Sequence, residues 1–154
     1  MGILFIGYGN PLREDDGVGW AAAEMLFHTD HRSRFTAHDS RLTVETTHQL
    51  LPELADPISQ ADLVIFVDAA VDGEPGEIRC QVVRPFPQPP GAFSHHVSPA
   101  GLLQMAQELY GRCPPAYLFT VTAASMGFDE GLSPAVTAAL PELLWQIEEV
   151  MGGA

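Results

Sequence analysis

Three places in the chain concentrate groups able to hold a metal ion. One is the acidic run Glu14-Asp15-Asp16 behind a glycine turn, within "GYGNPLREDDGVG". Another is Asp68, near the end of the apolar run "DLVIFVDAA". The third is the pair His95 and His96 in "GAFSHHVSPAGLL". A strand, a glycine turn and a helix often cradle phosphate, because backbone N–H groups and the helix N-terminus attract anions. Here carboxylates rim the turn, so it repels phosphate and attracts a cation. A dinucleotide fingerprint would also need glycine where Leu12 stands, and a P-loop would need Gly-Lys-Ser/Thr. Two carboxylates and one imidazole suit a borderline divalent ion such as nickel or zinc, with coordination positions left open.

Each group also has a purely structural reading. Asp15 and Asp16 can complement a helix dipole, Asp68 can cap a strand end, and either histidine can be a solvated loop residue. Competing catalytic devices are absent from the sequence: it has no Gly-x-Ser-x-Gly elbow and no His-Glu-x-x-His helix. Cys80 and Cys113 stand in no metal or redox spacing and read as ordinary thiols of a reducing compartment.

The elements that must position these groups alternate along the chain. Ile3 to Gly7 reads as a strand buried on both faces. Val18, Ala21, Ala22, Met25 and Leu26 recur at helical spacing over Gly17 to Phe27. "RLTVETT" reads as a strand, and "HQLLPELADPISQA" as short helical turns interrupted by Pro52 and Pro57. Asp62 to Ala70 is the clearest strand. Ile78 to Arg84 reads as an edge strand, close enough to the preceding one to run antiparallel to it. Ser98 and Pro99 open a helix whose apolar stripe is Leu102, Leu103, Ala106 and Leu109. Ala116 to Ala124 is a further buried strand, and Ser133 with Pro134 opens a last helix reaching about Val150. This alternation predicts one α/β domain over 1–154, a three-layer sandwich with a mostly parallel, roughly five-stranded sheet between helices. Loops at the carboxyl ends of such strands form the binding crevice, which is where Asp16 and Asp68 fall.

Composition narrows the partners. The 154 residues carry a net charge of −13 with only seven basic side chains. That balance argues against nucleic acid and against an anionic membrane surface, both of which are bound through Lys and Arg. No apolar run approaches the roughly 20 residues of a membrane span, and no signal peptide is evident. The expectation is a cytoplasmic monomer.

The motifs resemble those of the hydrogenase maturation proteases, which finish the large subunit of nickel-iron hydrogenases. Gly7, Gly9, Asn10, Leu12, Asp15, Asp16 and Gly19 match that family's opening Gly-x-Gly-Asn-x-Leu-x-x-Asp-Asp/Glu-x-x-Gly. "VIFVDAA", "SHHVSPAGLL" and "GLSPAV" resemble three further segments in the same order. The resemblance implies a metal-binding and catalytic trio of Asp16, Asp68 and His95, with His96 as the alternative imidazole. It implies an endopeptidase that removes a C-terminal extension from a nickel-loaded precursor. The nickel arrives with that substrate, and no organic cofactor is implied. One departure is "ETTHQLLPEL" where many members carry Asp-Gly-Gly-Thr. It leaves His48 either in contact with substrate or in a surface or helix-capping role. Two other classes stay open: a small-molecule hydrolase with resident zinc, and a nickel-binding maturation factor without peptidase activity.

Overall fold

The computed structural model describes residues 2–27, 41–87 and 97–152. Five strands form one sheet: β1 Ile3–Tyr8, β2 Leu42–Thr47, β3 Leu63–Ala70, β4 Ile78–Val83 and β5 Ala116–Thr122, in the order β2-β1-β3-β5-β4. All neighbours are parallel except β4, which runs antiparallel to β5. The helices are α1 Val18–Phe27, α2 Ala55–Gln60, α3 Pro99–Tyr110 and α4 Pro134–Gly152. No described helix is long and apolar enough to cross a membrane.

The period-2 alternation of the two central strands builds two cores. Ile3, Phe5, Leu63, Ile65 and Val67 face α1 and α4, where Val18, Ala22, Leu26, Leu140, Leu143 and Ile147 close over them. Leu4, Ile6, Val64 and Phe66 point the other way, against Ile58 of α2 and Leu102, Leu103 and Ala106 of α3. Residues apolar on both faces have nowhere to go but the middle of such a sandwich. The expected three-layer α/β architecture is what the chain forms.

Three local expectations need correction. The antiparallel strand β4 pairs with β5 and not with β3, whose second edge is taken by β5. Burial decides this: β5 contributes Phe119 and Val121 to the core, whereas β4 is exposed along most of its length and suits an edge. Leu109 lies outside the stripe of α3 at 68% exposure, because the packed arc of that helix ends at Ala106, with Met105 beside it. Pro57 does not interrupt a helix. It sits in the first turn of α2, where its missing N–H is not needed, and Pro52 opens a short 3₁₀ turn, Pro52–Leu54, just before. The caps behave as their sequences require: the Ser98 hydroxyl accepts from Gly101 N at 3.0 Å, and the Ser133 hydroxyl from Val136 N at 3.3 Å.

Candidate metal-reading site

The strand order reverses direction between β1 and β3, since β1 leads outward to β2 on one side while β3 continues on the other. Crevices open at the carboxyl ends of strands around such a point. A cleft of about 400 Å³ does so here, lined by Tyr8, Gly9, Asp16, His48, Asp68 and Val97, among others.

The glycine turn brings Asp16 to this cleft. Gly9 has φ +134°, a backbone state that side chains disfavour, and a Cβ there would collide with the backbone carbonyl of Asp16. The chain then enters a 3₁₀ turn, Glu14–Gly17, ahead of α1. The Asp16 carboxylate accepts from Asn10 N at 2.8 Å, which fixes it over the turn. A second close approach holds the turn to α1: a Cβ on Gly7 would strike the carbonyl of Gly19. One on Gly19 would come within 2.6 Å of Val67 O and 2.8 Å of Tyr8 N. Backbone cannot yield as a side chain can. Gly7→Ala is therefore expected to cost about 3 kcal/mol, read as a lowered urea midpoint with unchanged slope.

Asp68 comes from the buried strand β3 at its register with Thr120 of β5. Burial is the main cause that raises its carboxyl to about 6; the charge of Asp16 pushes the same way, while bonds from Ala69 N and the Tyr8 hydroxyl pull back. The Tyr8 hydroxyl donates to Asp68, and burial followed by the Asp68 charge drives the phenol far above its ordinary range. Tyr8 is thus a fixed donor beside the carboxylate. Nothing in the sequence reading singled it out, although a lone hydroxyl closing the apolar run "ILFIGY" is the signal that could have.

Adjacent acids take opposite duties. Asp15 is fully buried and is not among the residues that line the cleft. Its carboxylate accepts from Ala124 N at 2.8 Å, Ser125 N at 3.0 Å and Ser133 N at 2.7 Å, tying the glycine loop to the loop after β5 and to the start of α4. Burial would raise its carboxyl, but these bonds from Ser133, Ser125 and Ala124 outweigh that and hold it below the ordinary value. Asp15 is a clamp and does more than complement a helix dipole.

Trp20 is a second residue the motif did not announce. Its indole N–H reaches Gly9 O at 2.9 Å and Thr47 O at 3.2 Å, joining the turn to the end of β2. The indole meets the His48 ring edge-on, centroids 5.6 Å apart, so exposed His48 stands at the cleft wall.

The structure therefore brings Asp16 and Asp68 into one cleft. His95 and His96 lie outside the described residues, but Val97, next in the chain, lines the same cleft. Among the described residues no three His, Cys, Asp or Glu side chains form a metal-holding group. As a donor set, two acidic oxygens at the open mouth of a sheet fit a divalent ion that completes its coordination with groups from elsewhere.

No family model matches the sequence, and no curated protein matches it. Solved structures do. Hydrogenase maturating endopeptidase HybD from E. coli superposes with a TM-score of 0.77 at 24% identity, over 99% of this chain and 93% of that one. This chain has the fold of the hydrogenase maturation endopeptidases. The NiFe hydrogenase maturation protease HycI from Thermococcus kodakarensis KOD1 gives 0.70 at 24% identity, covering 98% of this chain and 92% of its own. An endopeptidase from Escherichia coli gives 0.71 at 25% identity over 96% and 90%. In each case the likeness covers nearly the whole chain.

Proposed function

We propose that the chain is an endopeptidase that removes the C-terminal extension of a nickel-iron hydrogenase large-subunit precursor once nickel is in place. The observation that carries this reading is the cleft shared by Asp16 and Asp68, on a fold shared with hydrogenase maturation endopeptidases of solved structure. In this reading Asp16, Asp68 and His95 are the donors offered to the ion, with His96 the alternative imidazole. The ion belongs to the substrate: nickel bound in the precursor is the recognition signal, and no resident metal or organic cofactor is required.

The chain's own groups then have definite tasks. Asp16, held by Asn10 N, presents a carboxylate that is already oriented, so little entropy is lost on capture. Asp68 stands ready to release its proton near neutral pH, because burial and Asp16 hold its carboxyl at about 6. Tyr8 keeps that carboxylate in place by donating to it. A divalent ion seated there supplies Lewis-acid polarisation of a carbonyl or an activated water.

The reading is tested by incubating the purified protein with precursor, nickel-loaded or nickel-free, and weighing the products. The expected outcome is shortening of the loaded form alone. Shortening of both forms would remove nickel from the recognition step, and shortening of neither would refute the peptidase.

A further inference from the structure

Trp20 is not among the residues that line the cleft, yet it is bonded to the turn that presents Asp16. Its indole N–H donates to the Gly9 carbonyl at 2.9 Å, and the N–H of the same peptide unit, that of Asn10, donates to the Asp16 carboxylate at 2.8 Å. One rigid plane therefore joins the two side chains, because a trans peptide points its C=O and its N–H in opposite directions. We propose that Trp20 is a positioning residue for the processing reaction: through this single peptide it holds the Asp16 carboxylate in the orientation that meets the ion. The inference rests on the peptidase reading above for its consequence, and adds to it a residue that acts through another.

The turn needs such a brace. Gly9, at φ +134°, lacks the Cβ that would confine its backbone, so local sterics do little to resist rotation of the Gly9–Asn10 peptide. A rotated plane would turn the Asn10 N–H away from Asp16 and bring the Gly9 carbonyl toward a carboxylate that repels it. The Trp20 N–H opposes that rotation by holding the carbonyl from the far side. The same hydrogen is shared with Thr47 O at 3.2 Å, and that carbonyl also accepts from Gly9 N at 3.1 Å. Gly9 is thus gripped at both its N–H and its C=O, against the end of β2, which is itself paired to β1 at Tyr8 and Thr47. The His48 ring meets the indole edge-on, centroids 5.6 Å apart, and limits its swing.

The chemistry of the brace suits its place. Bonds in series polarise one another, so a donor on the Gly9 carbonyl makes the Asn10 N–H a better partner for the carboxylate. An indole N–H is neutral and donates only, so it holds the peptide without setting a rival cation beside Asp16, as lysine or arginine would. The rest of the turn is held in other ways: Asn10 O accepts from Arg13 N at 3.0 Å, and the Asn10 side-chain oxygen from Leu12 N at 2.9 Å. Those bonds fix the far side of the turn and leave the Gly9–Asn10 plane to Trp20 and Asp16.

The chain has two tryptophans, so in a Trp145→Phe background an incorporated analogue replaces Trp20 alone. The test compares benzothienylalanine, which keeps the fused-ring shape and lacks the N–H, with fluorotryptophan, which keeps it. The Hα–Hβ couplings of Asp16 in NMR spectra report its rotamer directly, without metal or client. One fixed rotamer is expected with fluorotryptophan. Averaged couplings are expected with benzothienylalanine, and Asn10 amide exchange about tenfold faster while that of β3 is unchanged. On nickel-loaded precursor benzothienylalanine is expected to raise KM about tenfold with kcat within about twofold, a split that partial unfolding would not give. Trp20→Phe, which also lacks the donor, should repeat both results. Asp16 couplings that stay those of one rotamer without the N–H overturn the proposal, and so does an averaged Asp16 with an unchanged KM. If the wild-type chain leaves the loaded precursor whole, the peptidase reading fails alone, and the couplings still decide: averaged ones support Trp20 as the brace of Asp16, and fixed ones overturn it.

Discussion

Asp68→Asn is expected to abolish processing and, in metal-free protein at pH 7.5 or so, to raise the midpoint of thermal unfolding. The two effects have one cause. Burial in the cleft, with the charge of Asp16 behind it, lifts the carboxyl from the ordinary 3.8 to about 6. Between those values the folded chain holds a proton that the unfolded chain has released, so stability falls as pH rises through that window. Above it, the ionised carboxylate costs the fold about 3 kcal/mol, and asparagine carries no such cost. The amide oxygen can still accept from Tyr8 and from Ala69 N. Removing an acidic donor to the ion should cost several kcal/mol of transition-state stabilisation, about 10³-fold in rate. Scanning calorimetry over pH 4–8 with a mass-based cleavage assay checks both halves. Unchanged processing would take Asp68 out of the site, and a lowered midpoint would make it a structural residue.

Its counterpart is Asp15→Ala. The carboxylate is wholly buried and accepts from three backbone N–H groups, at Ala124, Ser125 and Ser133. Alanine leaves those donors without an acceptor in the interior, at about 3–5 kcal/mol in all. For a chain of this size that lowers the unfolding midpoint by about 10 °C or more. The pH signature is opposite to that of Asp68. The folded carboxyl is held below its ordinary value, so its contribution is fully present above about pH 4 and is lost as pH falls through the folded pKa. Wild type should therefore lose stability on acidification in that range, and Asp15→Ala should lose less. Two neighbouring carboxylates separate in this way: one holds the fold together, while the other side of the same turn faces the cleft.

That separation was not legible in the sequence. Glu14, Asp15 and Asp16 are equivalent as letters, and only the 3₁₀ turn decides which carboxylate meets the amides after β5 and which meets Asn10 N. The sheet was legible where burial on both faces leaves a long apolar run, as in β1 and β3. The partner of β4 was not, because alternation reports which face a residue uses and is silent on which edge its strand joins. Ser98 and Ser133 announced their helices, since a hydroxyl before proline satisfies a local need that distant contacts seldom override. Tyr8 and Trp20 were missed for the reverse reason. Their roles depend on partners brought by the fold, Asp68 from β3 and Thr47 from β2. That Asp16 and Asp68 would share one end of the sheet was legible because each ends or follows a strand that could only be central, and the parallel pairing of β1 with β3 places those ends side by side.

The decisive question for this protein is whether those two side chains take hold of the same ion. A crystal soaked in nickel chloride and measured at the nickel absorption edge answers that most directly. The predicted result is one anomalous peak in bonding contact with carboxylate oxygens of both Asp16 and Asp68. A peak elsewhere, or one that touches only one of them, would contradict it.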